Sequence, residues 1–329
     1  MNLKANTILV TGATGFLGGA IVERLSAEGA HVRAMARERA RGTRLSRFPN
    51  VELVLGDLTK SESLPALVKD VDIVIHAAAA LGGPLEFQRR VNVDGTRALG
   101  LAAANAKVKR FVHVSTIAVY GYSSRGIVEE THPQRPGRVP YNLTKSEGEA
   151  AIQEIADLYQ LPYTIVRPGM IYGPRSVAWT LTLFRHVRRR PTIWIGDGSG
   201  SCFPIYVDDV VDMCVKLMIE PSTIGHAFNC APDPTPTWRE FLGEYMHLAG
   251  KKSWIGIPVP IATLAAPLVE ALLRARGEPQ DVPDLVGFVT EQTTFSMSKA
   301  RALLGWQPSV PLSEGIERCR PFLRDQGLL

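Results

Sequence analysis

The sequence has 329 residues, 45% of them apolar and 21% charged, with a formal net charge of +5. This is ordinary globular usage in a chain long enough for one large domain or two moderate ones, and it excludes disordered, collagen-like and disulfide-dense proteins. Residues 33–47 hold six arginines and one glutamate, so the remainder is neutral overall and lacks the distributed cations that tracking nucleic acid requires.

Residues 7–10 are a short apolar run leading into Gly12 and predict a buried strand. Residues 16–28 carry Leu17, Ile21, Val22 and Leu25 at helical spacing and stop at Gly29. Further strands are predicted at 31–36, 51–55, 71–75, 110–115 and 163–166, with helices at 63–68, 87–106 and 141–159. Val-, Ile- and Leu-rich strands alternating with helices predict a parallel sheet covered on both faces. After Pro168 and Gly169 the rhythm changes, with helices at 177–190, 208–220, 238–249 and 312–322 separated by short strands. The expected division is 1–168 for the main sheet and 169–329 for a smaller lobe, with a soft boundary that lets later segments return to the sheet.

Residues 254–273 are apolar apart from Thr263 and Glu270. Pro258, Pro260 and Pro267 interrupt the stretch, and Glu270 is costly in a bilayer. The reading is an amphipathic lid over an apolar pocket rather than a membrane span, with a subunit or membrane-surface contact left open. Cys202, Cys214, Cys230 and Cys319 form no C-x-x-C pair and the histidines no ligand motif, so reduced thiols and no metal are expected. The N-terminus shows no signal-peptide pattern, and a cytoplasmic location is expected.

Two constellations carry chemistry. In Thr11-Gly12-Ala13-Thr14-Gly15-Phe16-Leu17-Gly18 three glycines follow a strand and open a helix. Residues without Cβ let the backbone approach a pyrophosphate, and the helix N-terminus offers its unpaired N–H groups to that anion. Where an NAD site usually places an acid after the second strand, this chain has Met35-Ala36-Arg37. A guanidinium there suits a 2′-phosphate, so NADP is the expected cofactor, with NAD possible; the other arginines nearby read as solvated surface. Asp57 and Leu58 after the third strand and Ala77 and Ala78 after the fourth complete the expected cofactor contacts. The second constellation is Ser115-Thr116 followed by Tyr141-x-x-x-Lys145, whose last pair shares one helix face. A tyrosine needs its pKa lowered from ~10 to serve as an acid–base catalyst, and a cation one turn away favours the phenolate.

Together these residues resemble the extended short-chain dehydrogenase/reductase family. The motifs run nearly end to end: TGATGFLG at 11–18, GDL at 56–58, HAAA at 76–79, NVDGT at 92–96, VSTIAVYG at 114–121, YNLTK at 141–145, RPGMIYGP at 167–174, YVDDVVD at 206–212 and SKARALLGW at 298–306. The resemblance implies an α/β fold, a Rossmann-type doubly wound parallel sheet with a smaller C-terminal substrate-binding lobe. It also implies a catalytic set of Thr116, Tyr141 and Lys145, helped by Ser115, and brings Pro168, Met170 and Ile171 into the cofactor site. Ile117 and Ala118 stand where nucleotide-sugar dehydratases carry an Asp-Glu pair, and Met170 where epimerases often carry a diphosphate-binding Asn. The motif form is closer to the 3β-hydroxysteroid dehydrogenase and dihydroflavonol reductase branch. The expected activity is NADP(H)-dependent interconversion of a ketone and a secondary alcohol on an apolar small molecule, in a homodimer. The alternatives are an NAD-dependent nucleotide-sugar epimerase and a non-catalytic NADP-binding redox sensor. Tyr172, Trp179 and Phe184 are candidates for the substrate pocket or for lobe core. Arg185, Arg188, Arg189 and Arg190 read as a solvated helix end or as a greeting for an anionic substrate.

Overall fold

The computed structural model describes residues 3–122, 125–275 and 282–329. Seven parallel strands form the central sheet: β1 (Thr7–Thr11), β2 (His31–Ala36), β3 (Val51–Leu55), β4 (Ile73–His76), β5 (Arg110–Val114), β6 (Tyr163–Pro168) and β7 (Ala227–Cys230). Their spatial order is β3-β2-β1-β4-β5-β6-β7, so the chain reverses direction across the sheet between β1 and β4. Ligands of such sheets bind at that switch point, beyond the C-terminal strand ends.

Strand alternation divides the core. Ile8, Val10, Val32, Ala34, Ile73 and Ile75 pack on one side, with α1 (Phe16–Ala27). Leu9, Met35, Val74 and Phe111 pack on the other, against α2 (Gly95–Asn105) and α3 (Pro140–Tyr159). This is the period-two pattern of a sheet buried on both faces. The expected helix over 87–106 is interrupted by a π-type turn at Arg90–Asp94. There Asn92 is buried and clamps the loop after β4, accepting from Ala80 N at 2.7 Å and donating to Ala80 O at 3.0 Å. The fourth strand starts two residues later than predicted: Asp70 is left-handed, and Val71 N still donates back to Val68 O of the preceding helix at 3.2 Å.

The expected boundary at 168/169 is crossed by returning chain: α4 (Val207–Ile219) packs on α1, and β7 joins the sheet edge. The rest of the lobe comprises α5 (Trp238–Leu248), α6 (Val259–Ala275), α7 (Val282–Thr290) and small two-stranded ribbons. The expected lid segment becomes a short strand, Ile255–Ile257, followed by α6, which packs chiefly on α7. Among the described residues no helix is long and apolar enough to cross a membrane. All four cysteines are buried free thiols.

Candidate active site

The glycine turn takes the geometry a dinucleotide needs. Gly12 sits at φ +67°, and a Cβ there would come within 2.7 Å of Ala78 N and 2.8 Å of Ala77. A Cβ on Gly18 would stand 2.2 Å from Gly12 O, so only glycine lets α1 close onto the turn. Gly15 caps α1 with no side-chain cap, which leaves the first N–H groups for an anion. Thr14 and Gly15 are exposed, Phe16 and Leu17 half-buried. Ala77 and Ala78 face the turn, and Ala78 N donates to Thr11 Oγ1 at 3.3 Å.

Beyond β2 Arg37 is exposed, and beyond β3 Asp57 is half-buried. Burial raises the Asp57 pKa, but hydrogen bonds from Thr59 N and Oγ1, at 2.9 and 2.8 Å, and the nearby charges of Arg37 and Lys60 prevail and lower it. Asp57 therefore stays an acceptor beside a cation, at the edge where an adenosine moiety lies in this fold. Leu58 is core. Pro168 ends β6, and Met170 and Ile171 follow in a strand paired with Pro204–Tyr206. The open approach at Gly12 and Gly18 and the uncapped start of α1 fit a nicotinamide dinucleotide.

Ser115 and Thr116 leave the end of β5, and Tyr141 and Lys145 rise from the first turns of α3. Pro140, in the first turn of α3, needs no N–H there, which fixes where the helix begins. Thr116 is extended, and its hydroxyl accepts from Ala118 N at 3.2 Å and shares a hydrogen bond with Tyr141. Ser115 Oγ is buried and has no hydrogen-bond partner among the described residues. Lys145 is buried, and its Nζ donates to Val114 O at 2.7 Å. Burial pulls the Lys145 pKa down to about 8, although Glu149 one turn on opposes this. Glu149 is itself held in a buried pair with Arg167, Oε2 to Nη2 at 2.6 Å.

Tyr141 departs from expectation. Its pKa is pushed up to about 12: burial dominates, Tyr122 adds to it, and the Thr116 hydrogen bond opposes. Lys145 spends its hydrogen bond on a backbone carbonyl of β5 rather than on the phenol. The protein alone therefore keeps Tyr141 a protonated donor at neutral pH.

Beside Tyr141 stands an aromatic wall in which Trp179 alone is a sequence candidate. Tyr122 donates to Asn142 Oδ1 at 3.4 Å, and its ring lies 4.9 Å from Phe288 of α7. Phe288 lies 6.2 Å from Trp179 and 5.4 Å from Trp238. Behind Tyr122, Glu291 is buried; burial pushes its pKa up to about 8, against a hydrogen bond from Thr293. Trp179 is half-buried in this wall. Tyr172 is not: it is 1% exposed and wedged among Tyr206, Phe241 and Gly315 in the lobe core. Phe184 is core as well. Arg185, Arg188, Arg189 and Arg190 are exposed beyond the helix Leu183–Val187 or at its surface. Tyr122 directly follows the VSTIAVYG motif and Asn142 directly follows Tyr141, so adjacency was the available signal; Phe288 comes from a distant helix and had none.

The profile of the NAD dependent epimerase/dehydratase family matches residues 8–231. The chain belongs to this family. It is 30% identical to a UDP-glucose 4-epimerase of Mycolicibacterium smegmatis, over 97% of this chain and 98% of that protein. It is also 30% identical to a 4-hydroxy-2-methyl-3-oxo-4-farnesyl-3,4-dihydroquinoline-1-oxide ketoreductase of Stigmatella aurantiaca, over 94% of this chain and 95% of the relative. Among solved structures, the UDP-glucuronic acid 4-epimerase of Bacillus cereus with UDP-glucuronic acid and NAD superposes with a TM-score of 0.78 at 25% identity, covering 97% of this chain and 99% of that one. The protein is an enzyme, an NAD(P)-dependent oxidoreductase of the extended short-chain dehydrogenase/reductase type.

Proposed function

We propose that this enzyme reduces a ketone on a largely apolar small molecule with NADPH, and runs the reverse oxidation when the ratio of substrates demands it. The observation that carries the reading is the aromatic wall of Tyr122, Phe288 and Trp179 facing a polar floor of Thr116, Tyr141 and Lys145. Such a wall gains about 25 cal/mol per Å² of apolar substrate it covers and offers few partners to sugar hydroxyls. The bound dinucleotide supplies the hydride. Tyr141 holds the proton at Oη that a forming alkoxide needs, and its high pKa keeps that proton in place at neutral pH. Thr116 Oγ1 orients the carbonyl oxygen, with Ser115 beside it. Lys145, buried one helical turn from Tyr141, is assigned the nicotinamide ribose hydroxyl in this reading. Arg37, with no carboxylate at the end of β2, supports NADP over NAD. The farnesyl-bearing substrate in the Stigmatella relative's name is in line with an apolar pocket.

A nucleotide-sugar epimerase is the second reading, favoured by the name of the Mycolicibacterium relative. A panel of steroid-like, flavonol-like and long-chain β-keto substrates, set beside UDP- and dTDP-sugars, separates the two. NADPH consumption on apolar ketones supports the proposal. Epimer formation from a nucleotide sugar without net cofactor consumption overturns it.

A further inference from the structure

Helix α6 turns its apolar side outward. Ile261, Leu264, Leu268 and Leu272 follow one another at intervals of three, four and four residues, which places them on one stripe, and all four are exposed, Leu264 at 86%. The one buried residue of the helix is Ala266. The polar side chains are satisfied within the helix: Arg274 pairs with Glu270 at 2.6 Å, and Thr263 donates to Val259 O at 2.9 Å. Leu285 of α7 and Ile255 and Ile193 of the adjoining ribbon extend the exposed apolar area.

At the base of α6 the charge changes sign from neutral to strongly positive. The ribbon pairs Ile193–Ile195 with Ile255–Ile257 in parallel, so the segments that enter it side by side are Arg188-Arg189-Arg190 and Lys251-Lys252. Lys251 Nζ donates to Arg189 O at 3.4 Å, which fixes the two basic runs together. Among the described residues no ion pair engages any of these five cations. A cavity of about 450 Å³ opens at the same junction, lined in part by Lys252, Arg239 and Trp254, and none of the catalytic residues borders it.

We propose that α6 and this basic junction form a docking surface for an anionic lipid bilayer. The stripe enters the boundary between headgroups and acyl chains, and the arginines and lysines meet lipid phosphates. The helix suits lying in the interface rather than crossing it, because 17 residues with Pro267, Glu270 and Arg274 fall short of a span. A second copy of the chain is the weaker occupant: its matching helix would cover the stripe but offers the five cations no counter-charge, since Glu270, the one carboxylate of α6, is already paired with Arg274. The position is also informative, since α6 packs on α7, the helix that carries Phe288 into the aromatic wall. The proposal stands independently of the substrate reading.

The test is flotation of the full chain with phosphatidylcholine vesicles and with vesicles containing about one third phosphatidylglycerol, at low and high salt. Binding to the anionic vesicles that weakens in salt is expected. Leu264→Asp with Leu268→Asp lowers the bound fraction about tenfold or more, and Arg188→Glu with Arg189→Glu lowers it and flattens the salt dependence. Both pairs are surface changes, and the melting midpoint of each variant is measured alongside; Leu264→Ser is the milder substitution. No partition into anionic vesicles, or partition that ignores both pairs, overturns the proposal. A dimer in light scattering that Leu264→Asp with Leu268→Asp converts to monomer overturns it too, and assigns the face to a second copy.

Discussion

The floor and the wall of the active site are built by opposite physics. The floor is polar, buried and tightly held: Lys145 is tied to Val114 O, Thr116 to Ala118 N, and Glu149 to Arg167 at 2.6 Å. Its side chains come from β5 and α3, elements locked into the sheet core. The wall is aromatic and half-exposed, assembled from the loop after β5, the turn near Trp179, and α7 of the lobe. In the proposed function, a floor that moves a proton must hold its groups to fractions of an ångström, whereas a wall that sorts apolar substrates needs only area and shape. That reading assigns the chemistry to the parallel sheet, and the choice of substrate to the lobe together with the loop after β5.

The sharpest way to break this contrast is at the support of the floor. Glu149→Gln leaves Arg167 buried beside a neutral amide and is expected to cost about 3–5 kcal/mol of stability, read as a lowered denaturation midpoint. If stability is unchanged, the pair does not anchor α3. Tyr141→Phe is expected to preserve cofactor affinity, measured by fluorescence titration, while turnover falls by a factor of ~10² or more. Near-normal turnover in that variant would assign the acid to another group. Arg37→Ala tests the outer edge of the floor: NADP affinity should weaken by ~1.5–3 kcal/mol while NAD affinity hardly changes, and equal wild-type affinities for the two cofactors would refute the assignment.

The last test lies behind the wall and is read as a pH dependence. Burial pushes the Glu291 pKa up to about 8, from 4.5 for an ordinary glutamate. Its folded pKa is raised, so between those values the unfolded chain sheds a proton that the folded one keeps. Stability from this group is present in full below about pH 4.5 and is lost as pH climbs toward 8. Glu291→Gln should flatten the fall in melting midpoint over that window, and an unchanged slope would show that another group causes it.

Much of the floor was legible in the sequence, because its parts sit at fixed short spacings. The glycine turn lies within eight residues, and Tyr141 and Lys145 are one helical turn apart. Most of the parallel sheet was legible too, because Val-, Ile- and Leu-rich segments such as β1 and β4 stand between helices. Long-range assembly was not. β7 returns from the lobe to the sheet edge, the helix at 87–106 breaks where Asn92 reaches back to Ala80, and Phe288 meets Tyr122 from the far end of the chain. Tyr172 shows the same limit from the other side: its aromatic ring suited a pocket or a core equally, and only packing against Tyr206 and Phe241 decides for core. The pKa of Tyr141 in the protein without cofactor was not legible either, because spacing to Lys145 says nothing of how deeply both groups are buried.

The most direct test of the account follows the hydride itself. The enzyme is given NADPH carrying deuterium on the transferred face of the nicotinamide, together with the best apolar ketone of the substrate panel, and the product alcohol is analysed by mass spectrometry. The account predicts one deuterium at the carbinol carbon for each NADPH consumed, and loss of that transfer in Tyr141→Phe. Absence of deuterium from every ketone product, with a nucleotide sugar inverted at one carbon and the added NADPH untouched, would contradict it.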